Sequence, residues 1–318
     1  MRRARSSAIL GLLALLAAAP ATARRAAPPA TPATEPALPL IRVNIVGSRP
    51  DGTPDDRRGT LDGLRAALGL SPAEAERIRA STGIVLCAEE GEAMRPLASG
   101  VLVGDGAAIA TAAHVLRDPK KDWAPLPAGS RCLFRTQAKP AETVPLRIDA
   151  TEVLGSGGRD NFWDPNDYAV VRLAHPLTNP AAQGFPIAAA PVAEGTPVLL
   201  ISGFQSDLVA KLGLATPIAQ RARVETADPI EGNAPRAIYL AGAMDTGGSG
   251  GAMLVRSHGS LALAAIVSST GNISRNGFPF SLAMRSFVRV IAVEGTFRSA
   301  VEALTLARLL PAPEAPHP

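Results

Sequence analysis

One serine among four glycines forms the stretch of this sequence best equipped for chemistry: Asp245-Thr246-Gly247-Gly248-Ser249-Gly250-Gly251-Ala252-Met253. Glycine on both sides lets the backbone take a tight path. It also lets a substrate carbonyl approach main-chain N–H groups. Acyl transfer needs that combination, a hydroxyl at the tip of a turn with amide donors aimed at the developing oxyanion. An apolar strand-like run lies on either side, Ala237–Leu240 before and Leu261–Val267 after. Taken alone, the stretch reads equally as a glycine-rich turn in a β protein.

The elements around it are short and apolar. Thr82–Cys87 reads as a first strand. Ala98–Val103, the turn Gly104-Asp105-Gly106 and Ala107–Val115 read as a hairpin, with His114 where its second strand ends. Further runs cover Arg131–Arg135, Val144–Thr151 and Asp167–Leu173, the last opened by an acid. Pro180–Pro191 is a Pro- and Ala-rich connector. Beyond it come Pro197–Phe204, Arg221–Thr226, Ala237–Leu240, Ala252–Val255, Leu261–Ser268 and Phe280–Met284. About six strands on each side of a connector argue for two all-β barrels. Residues 286–310 read as a terminal helix, with Leu304, Leu306, Leu309 and Leu310 near its end.

The 318 residues can bury a sizeable core, and scarce aromatics with plentiful Ala, Val, Leu, Gly and Pro suit a compact, turn-rich β protein. Residues 1–23 read as a signal peptide. Arg2, Arg3 and Arg5 give the charged start, Ala8–Ala19 the apolar run and Ala21-Thr22-Ala23 the cleavage site. A retained membrane anchor is the other reading. No later stretch is apolar over ~18 residues, so no further span is expected. Export places the protein outside the cytoplasm, periplasmic or secreted, with no stable membrane insertion once the leader is removed. That removal takes away three arginines and no acid, so the net charge falls from +4 to +1. The basic whole-chain balance is therefore a poor argument for nucleic acid as a partner.

Residues 24–80 read as a Pro- and Ala-rich spacer or pro-segment with a helix, or as a helical extension packed on the main domain. Ala27–Pro32 should be extended. Leu61, Leu64 and Leu68 repeat at helical spacing, and Ser71-Pro72-Ala73-Glu74 fits a capping box with proline at the first helical position. Cys87 and Cys132 are the only cysteines. In an exported chain a pair points to a disulfide rather than a metal site. His114, His175, His258 and His317 each lack a second ligand three or four residues away, so no structural metal and no cofactor are expected.

Thr111-Ala112-Ala113-His114 at the hairpin's end resembles the histidine motif of the chymotrypsin- and trypsin-like serine proteases. Asp167 before its apolar strand resembles that family's aspartate motif, with Asp164 the competing acid. The order His114, Asp167, Ser249 matches the family's order. The resemblance covers about residues 81–300. It implies two six-stranded Greek-key barrels with a C-terminal helix: 81–185 carrying His and Asp, 186–300 carrying Ser, and 301–318 the helix end and tail. It implies Ser249 as nucleophile, His114 as general base and then acid, and Asp167 as the acceptor of the imidazole N–H. Gly247 and Ser249 would supply the oxyanion-hole N–H groups, and Ser268, Ser269 and Thr270 would line the cleft against a protein or peptide substrate. Since the family's first and fourth strands are neighbours, Cys87 and Cys132 are expected to pair.

The sequence also departs from the family. Gly248 replaces the acid that animal digestive proteases place before the serine, so Ile45-Val46-Gly47 has no partner of the kind that captures a freshly cut N-terminus. In this respect the motif looks closer to the bacterial glutamyl endopeptidases. Those carry a histidine near the position of Ser268, so glutamate preference is in doubt. Ala243 stands six residues before Ser249, where an acid would select Lys or Arg. Asp245 reads as a loop-stabilising residue whose other reach is the pocket. The leading expectation is an exported serine endopeptidase. The alternatives are a catalytically silent protease-like fold that binds peptides or proteins, and an enzyme held inactive by residues 24–80. Asn272-Ile273-Ser274 fits a glycosylation acceptor only in a eukaryotic secretory route. The sequence does not indicate an oligomeric state.

Overall fold

The computed structural model of the chain describes residues 56–118, 124–149, 165–213, 216–272 and 286–307. The leader expected over 1–23, the segment Ala27–Pro32, Ile45-Val46-Gly47, Asp164, Ile273, Ser274, the run Phe280–Met284 and everything after Ala307 lie outside the described residues.

The chain enters with strand β1, Gly59–Thr60, and a single helical turn α1, Leu61–Leu64. Helix α2 follows over Pro72–Ser81. Its start is the capping box that the sequence predicts. The Glu74 N–H donates to the Ser71 hydroxyl at 3.2 Å, and the Ser71 N–H donates to the Glu74 carboxylate at 2.8 Å. The helix runs straight into strand β2, Thr82–Ala88. Leu61 and Ile78 have no solvent exposure, and β1 pairs antiparallel with a strand of the second barrel. From Gly59 onward this segment is thus packed into the body of the protein.

Strands β3 (Arg95–Val103) and β4 (Ala108–Thr111) form the expected hairpin, followed by a single 3-10 turn over Ala113–Leu116. A two-residue ribbon, β5 (Arg117–Asp118) with β6 (Ala124–Pro125), precedes β7 (Arg131–Thr136), β8 (Thr143–Pro145) and β9 (Ala169–Arg172). The first sheet has the order β8-β7-β2-β3-β4-β9. It curls around Val85, Leu102, Ile109, Phe134, Val144 and Val171. Its two edges meet at one bridge, Leu146 with Leu173, so the first of the two expected six-stranded barrels is a curled half-barrel. Cys87 and Cys132 stand directly opposite each other on β2 and β7 and form the expected disulfide.

The second half contains β10 (Pro197–Ser202), helix α3 (Ser206–Leu212), β11 (Ile218–Ala227), β12 (Ala237–Ala241), β13 (Ala252–Ser257), β14 (Ser260–Asn272) and β15 (Ser286–Ala292). The order β11-β10-β13-β14-β15-β12, with β12 returning to β11, closes a six-stranded barrel. β10 alternates as a barrel strand should: Val198 and Leu200 face the interior, while Leu199 and Ile201 face outward. The outward set packs in one cluster with Leu61, Ile78, Val101 and Phe185, so helix α2 and the two sheets share a core.

Helix α4, Gly295–Ala307, ends the described chain. The helix expected over 286–310 is therefore half strand. Phe287–Ala292 is buried on both faces, so it shows no period that separates strand from helix, and the need to close the barrel between β14 and β12 decides. Among the described residues no helix is long and apolar enough to cross a membrane.

Two stability outcomes follow from this packing. Ile78→Ala should lower the unfolding free energy by about 2–5 kcal/mol in a denaturant titration, because Ile78 is fully buried in the shared core. Removing the cross-link by Cys87→Ala with Cys132→Ala should cost roughly 4 kcal/mol on the chain-entropy model for a separation of 45 residues, read as a lower melting temperature.

Candidate active site

The register of β4 and β9 brings the first two candidates together. Thr111 pairs with Ala169. Asp167 lies two residues before that pair and His114 three after it. Ala112 and Ala113, both fully buried, let the chain turn sharply at the strand end, and the 3-10 turn carries His114 back over Asp167. The His114 backbone N–H donates to Asp167 Oδ1 at 3.0 Å, and its Nδ1 lies 2.9 Å from Oδ2 and 3.1 Å from Oδ1. The Asp167 side chain has no solvent exposure, and the imidazole keeps 18 %.

Asp167 stays ionised in this enclosure. Burial raises its pKa, but the nearby His114, its two N–H groups and the Ser268 hydroxyl outweigh burial and hold it below the ordinary value of 3.8. An ionised carboxylate only accepts hydrogen bonds. The Nδ1 of His114 must therefore carry a proton, which leaves Nε2 of the neutral ring as the basic nitrogen.

Ser268 is the residue whose place differs most from expectation. It was expected to line the substrate cleft, but its side chain is fully buried, and its hydroxyl donates to Asp167 Oδ2 at 2.5 Å. The cause is a bulge in β14, where the pairing with β15 shifts between Val267 and Ser269. An extra residue in one strand re-aims its side chain. Arg289 of β15, 1 % exposed, donates from Nη1 to the Ser268 hydroxyl oxygen at 3.1 Å. Arginine cannot accept, so the Ser268 proton is directed at Asp167. Ser269 and Thr270 continue along β14, half-buried and paired with Arg289 and Val288.

The Ser249 loop joins β12 to β13. Its turns close through Gly248 N–H to Asp245 C=O and Gly251 N–H to Gly248 C=O, each at 2.9 Å. The first sheet anchors it: the Ser99 N–H donates to Ser249 C=O at 2.8 Å, and the Ser99 hydroxyl donates to Gly247 C=O at 2.7 Å. Gly247 sits at φ +95°, and a Cβ there would meet the Phe204 ring at 2.6 Å. Gly250 sits at φ +78°, and a Cβ there would run into the Ser99 carbonyl oxygen and the Thr111 hydroxyl. Both positions exclude any other residue. Asp245 faces away from the serine, its carboxylate accepting from the Ser206 hydroxyl at 3.0 Å and the Asp207 N–H at 3.1 Å.

The Ser249 hydroxyl donates to the Ser268 carbonyl at 3.2 Å. Ser268 thus touches Asp167 through its side chain and Ser249 through its main chain. The N–H groups of Gly247 and Ser249 donate to no protein acceptor among the described residues. Among those residues no group of three or more His, Cys, Asp or Glu side chains is gathered to hold a metal ion.

The model of the trypsin-like peptidase domain matches residues 98–262, a span that contains His114, Asp167 and Ser249. The chain belongs to the trypsin-like peptidase family. Among solved structures it is similar to a Glu endopeptidase in complex with MPD, at 14 % identity and a TM-score of 0.54, covering 79 % of this chain and 98 % of that one. It is also similar to a thermostable serine protease from an extremophilic microorganism, at 15 % identity and a TM-score of 0.48, covering 74 % and 99 %. No curated protein matches the chain significantly.

The lowered pKa of Asp167 has a stability consequence with a definite sign. A depressed folded-state pKa contributes stability above the ordinary value of 3.8, and that contribution is lost as the pH falls through the folded value. The gap in unfolding free energy between wild type and Asp167→Asn should therefore shrink below about pH 4. Urea titrations of both proteins across that range check it.

Proposed function

We propose that the chain is an exported serine endopeptidase acting through Ser249, His114 and Asp167. The observation that carries this reading is the double engagement of Ser268, which ties the buried Asp167–His114 pair and the Ser249 hydroxyl into one hydrogen-bonded network.

A serine hydroxyl has one proton, and here it points at the Ser268 carbonyl. A rotation about χ1 hands it to Nε2 of His114 as Ser249 Oγ attacks the substrate carbonyl. The C–O bond forms, the proton moves to the imidazole, and Asp167 stabilises the resulting cation. The oxyanion accepts from the N–H groups of Gly247 and Ser249, each donor typically worth about 2.7–4 kcal/mol in the transition state. The imidazolium then gives its proton to the leaving amine. Water, activated by the same ring, releases the acyl group and restores Ser249.

The peptide itself has an edge to join. β13 accompanies β14 only as far as Ile266, and an extended substrate would lie beside β14 beyond that point. Adding a strand there supplies main-chain hydrogen bonds without regard to side chains. Ala243 is fully buried next to Met244, which packs with Val267 and Val288 in one apolar cluster. No acid stands at position 243 to select Lys or Arg before the scissile bond. Export is supported by the leader-like start and by the Cys87–Cys132 disulfide, which suits an oxidising compartment.

A second reading, a peptide-binding fold without turnover, draws on one observation, the commitment of the Ser249 proton to Ser268. A fluorophosphonate probe separates the two. Wild type should label at one site, and Ser249→Ala should not label at all. An unlabelled wild type with an intact fold would leave the binding module.

A further inference from the structure

Arg58 lies outside both sheets, yet its side chain is 2 % exposed. It reaches α3 at the foot of the Ser249 loop. One guanidinium nitrogen donates to Asp207 Oδ2 at 2.6 Å and the other to Asp207 Oδ1 at 3.1 Å. The guanidinium also donates to Gln205 Oε1 and, on its other side, to Asp56 at 2.9 Å. Burial lowers the Arg58 pKa, but the hydrogen bonds to Asp56 and Asp207 more than offset it and raise it above the ordinary arginine value.

Gln205 and Asp207, with Ser206 between them, also hold the loop. The Asp245 N–H donates to Gln205 Oε1 at 3.0 Å, the oxygen Arg58 also uses. The Ser206 N–H donates to Thr246 C=O at 2.8 Å. This last bond has a geometric consequence. In a trans peptide the C=O and the following N–H point in opposite directions. Fixing the Thr246 carbonyl toward α3 therefore fixes the Gly247 N–H away from it, and that N–H is one of the two oxyanion donors. The acid that would order this loop from within is absent, since Gly248 stands at its position.

We propose that Arg58 is a positioning residue, clamping Gln205 and Asp207 so that the Thr246–Gly247 peptide keeps the orientation its oxyanion donor needs. The segment before the barrels then acts as a built-in activator rather than an inhibitor. β1 delivers it: Gly59 and Thr60 pair with Ala219 and Ile218, and the Leu61 N–H donates to Pro217 C=O at 2.9 Å, which fixes where Arg58 enters. The catalytic consequence rests on the peptidase reading above, while the structural one does not.

The test pairs two readouts on the full chain. Hydrogen exchange over residues 242–251 reports loop order, and turnover of a peptide substrate reports function. Arg58→Ala should speed exchange in that segment, leave β10 and β13 protected, and cut kcat at least about 10-fold with little change in KM, in line with the loss of an oriented oxyanion donor. Arg58→Lys should recover part of kcat, because an ammonium meets one carboxylate but lacks the guanidinium fork. Should Arg58→Ala fail to fold, Asp207→Asn, altered at a carboxylate that is 35 % exposed, should loosen the same segment to a smaller degree. Exchange over 242–251 identical to wild type in whichever variant folds overturns the proposal, as does equal loss of protection throughout the second barrel. A wild type without peptidase activity, in which Arg58→Ala still loosens the loop, would remove the peptidase reading and leave the clamp standing.

Discussion

A carboxylate with no access to water has to find its solvation in the protein, and Asp167 is such a group. Its oxygens take the backbone N–H of His114, the ring N–H of His114 and the hydroxyl of Ser268. Each donor imposes a condition on the fold. The backbone N–H requires the 3-10 turn directly after β4. The ring N–H requires the β4–β9 register. The hydroxyl requires a bulge in β14, a strand of the other barrel. Withdrawal of any donor would leave a buried charge short of partners, which is far costlier than losing a surface contact. The meeting of the two sheets is thus locked by one anion, and Arg289 extends the lock by setting the direction of the Ser268 proton.

The serine loop is held by a different principle. It carries no buried charge; it is fixed by main-chain hydrogen bonds and by the lack of room for side chains. Ser99 of the first sheet clasps the carbonyls of Gly247 and Ser249, Val267 of β14 bonds Gly250 and Gly251, and α3 holds Asp245 and Thr246. With the Thr246 and Gly248 carbonyls held by the N–H groups of Ser206 and Gly251, the N–H groups of Gly247 and Ser249 point the opposite way. Preorganised donors of this kind act on developing charge without reorganising at the moment of reaction. The rigidity comes from three separate parts of the chain, and the third, at the start of α3, is the one that Arg58 is proposed to clamp from a segment before either barrel.

Helix α2 shows how local and distant forces cooperate here. Its capping box is purely local and is written in Ser71-Pro72-Ala73-Glu74. Its place in the molecule comes from burying Ala75 and Ile78 and from Arg77, which reaches the Gly184 carbonyl and lies over the Phe185 ring. The cap says where the helix starts; the connector between the barrels says what it packs against.

The sequence by itself determined the features whose causes are local. These are the glycine-framed turn at Ser249, the hairpin leading to His114, the acid that opens β9, the capping box, and enough short apolar runs to imply two β bodies. Turn chemistry and capping act within a few residues, so they can be read in order along the chain. Only the tertiary structure decided the rest. Ser268 reads as a cleft-lining residue of a strand, and its inward turn follows from a bulge in the pairing with β15. Phe287–Ala292 is buried on both faces, so no period marks it as strand until the barrel closes around it. Arg58 finds Asp207 across 149 residues of sequence. Such contacts depend on which surfaces meet after folding, and nothing in the neighbouring residues records that choice.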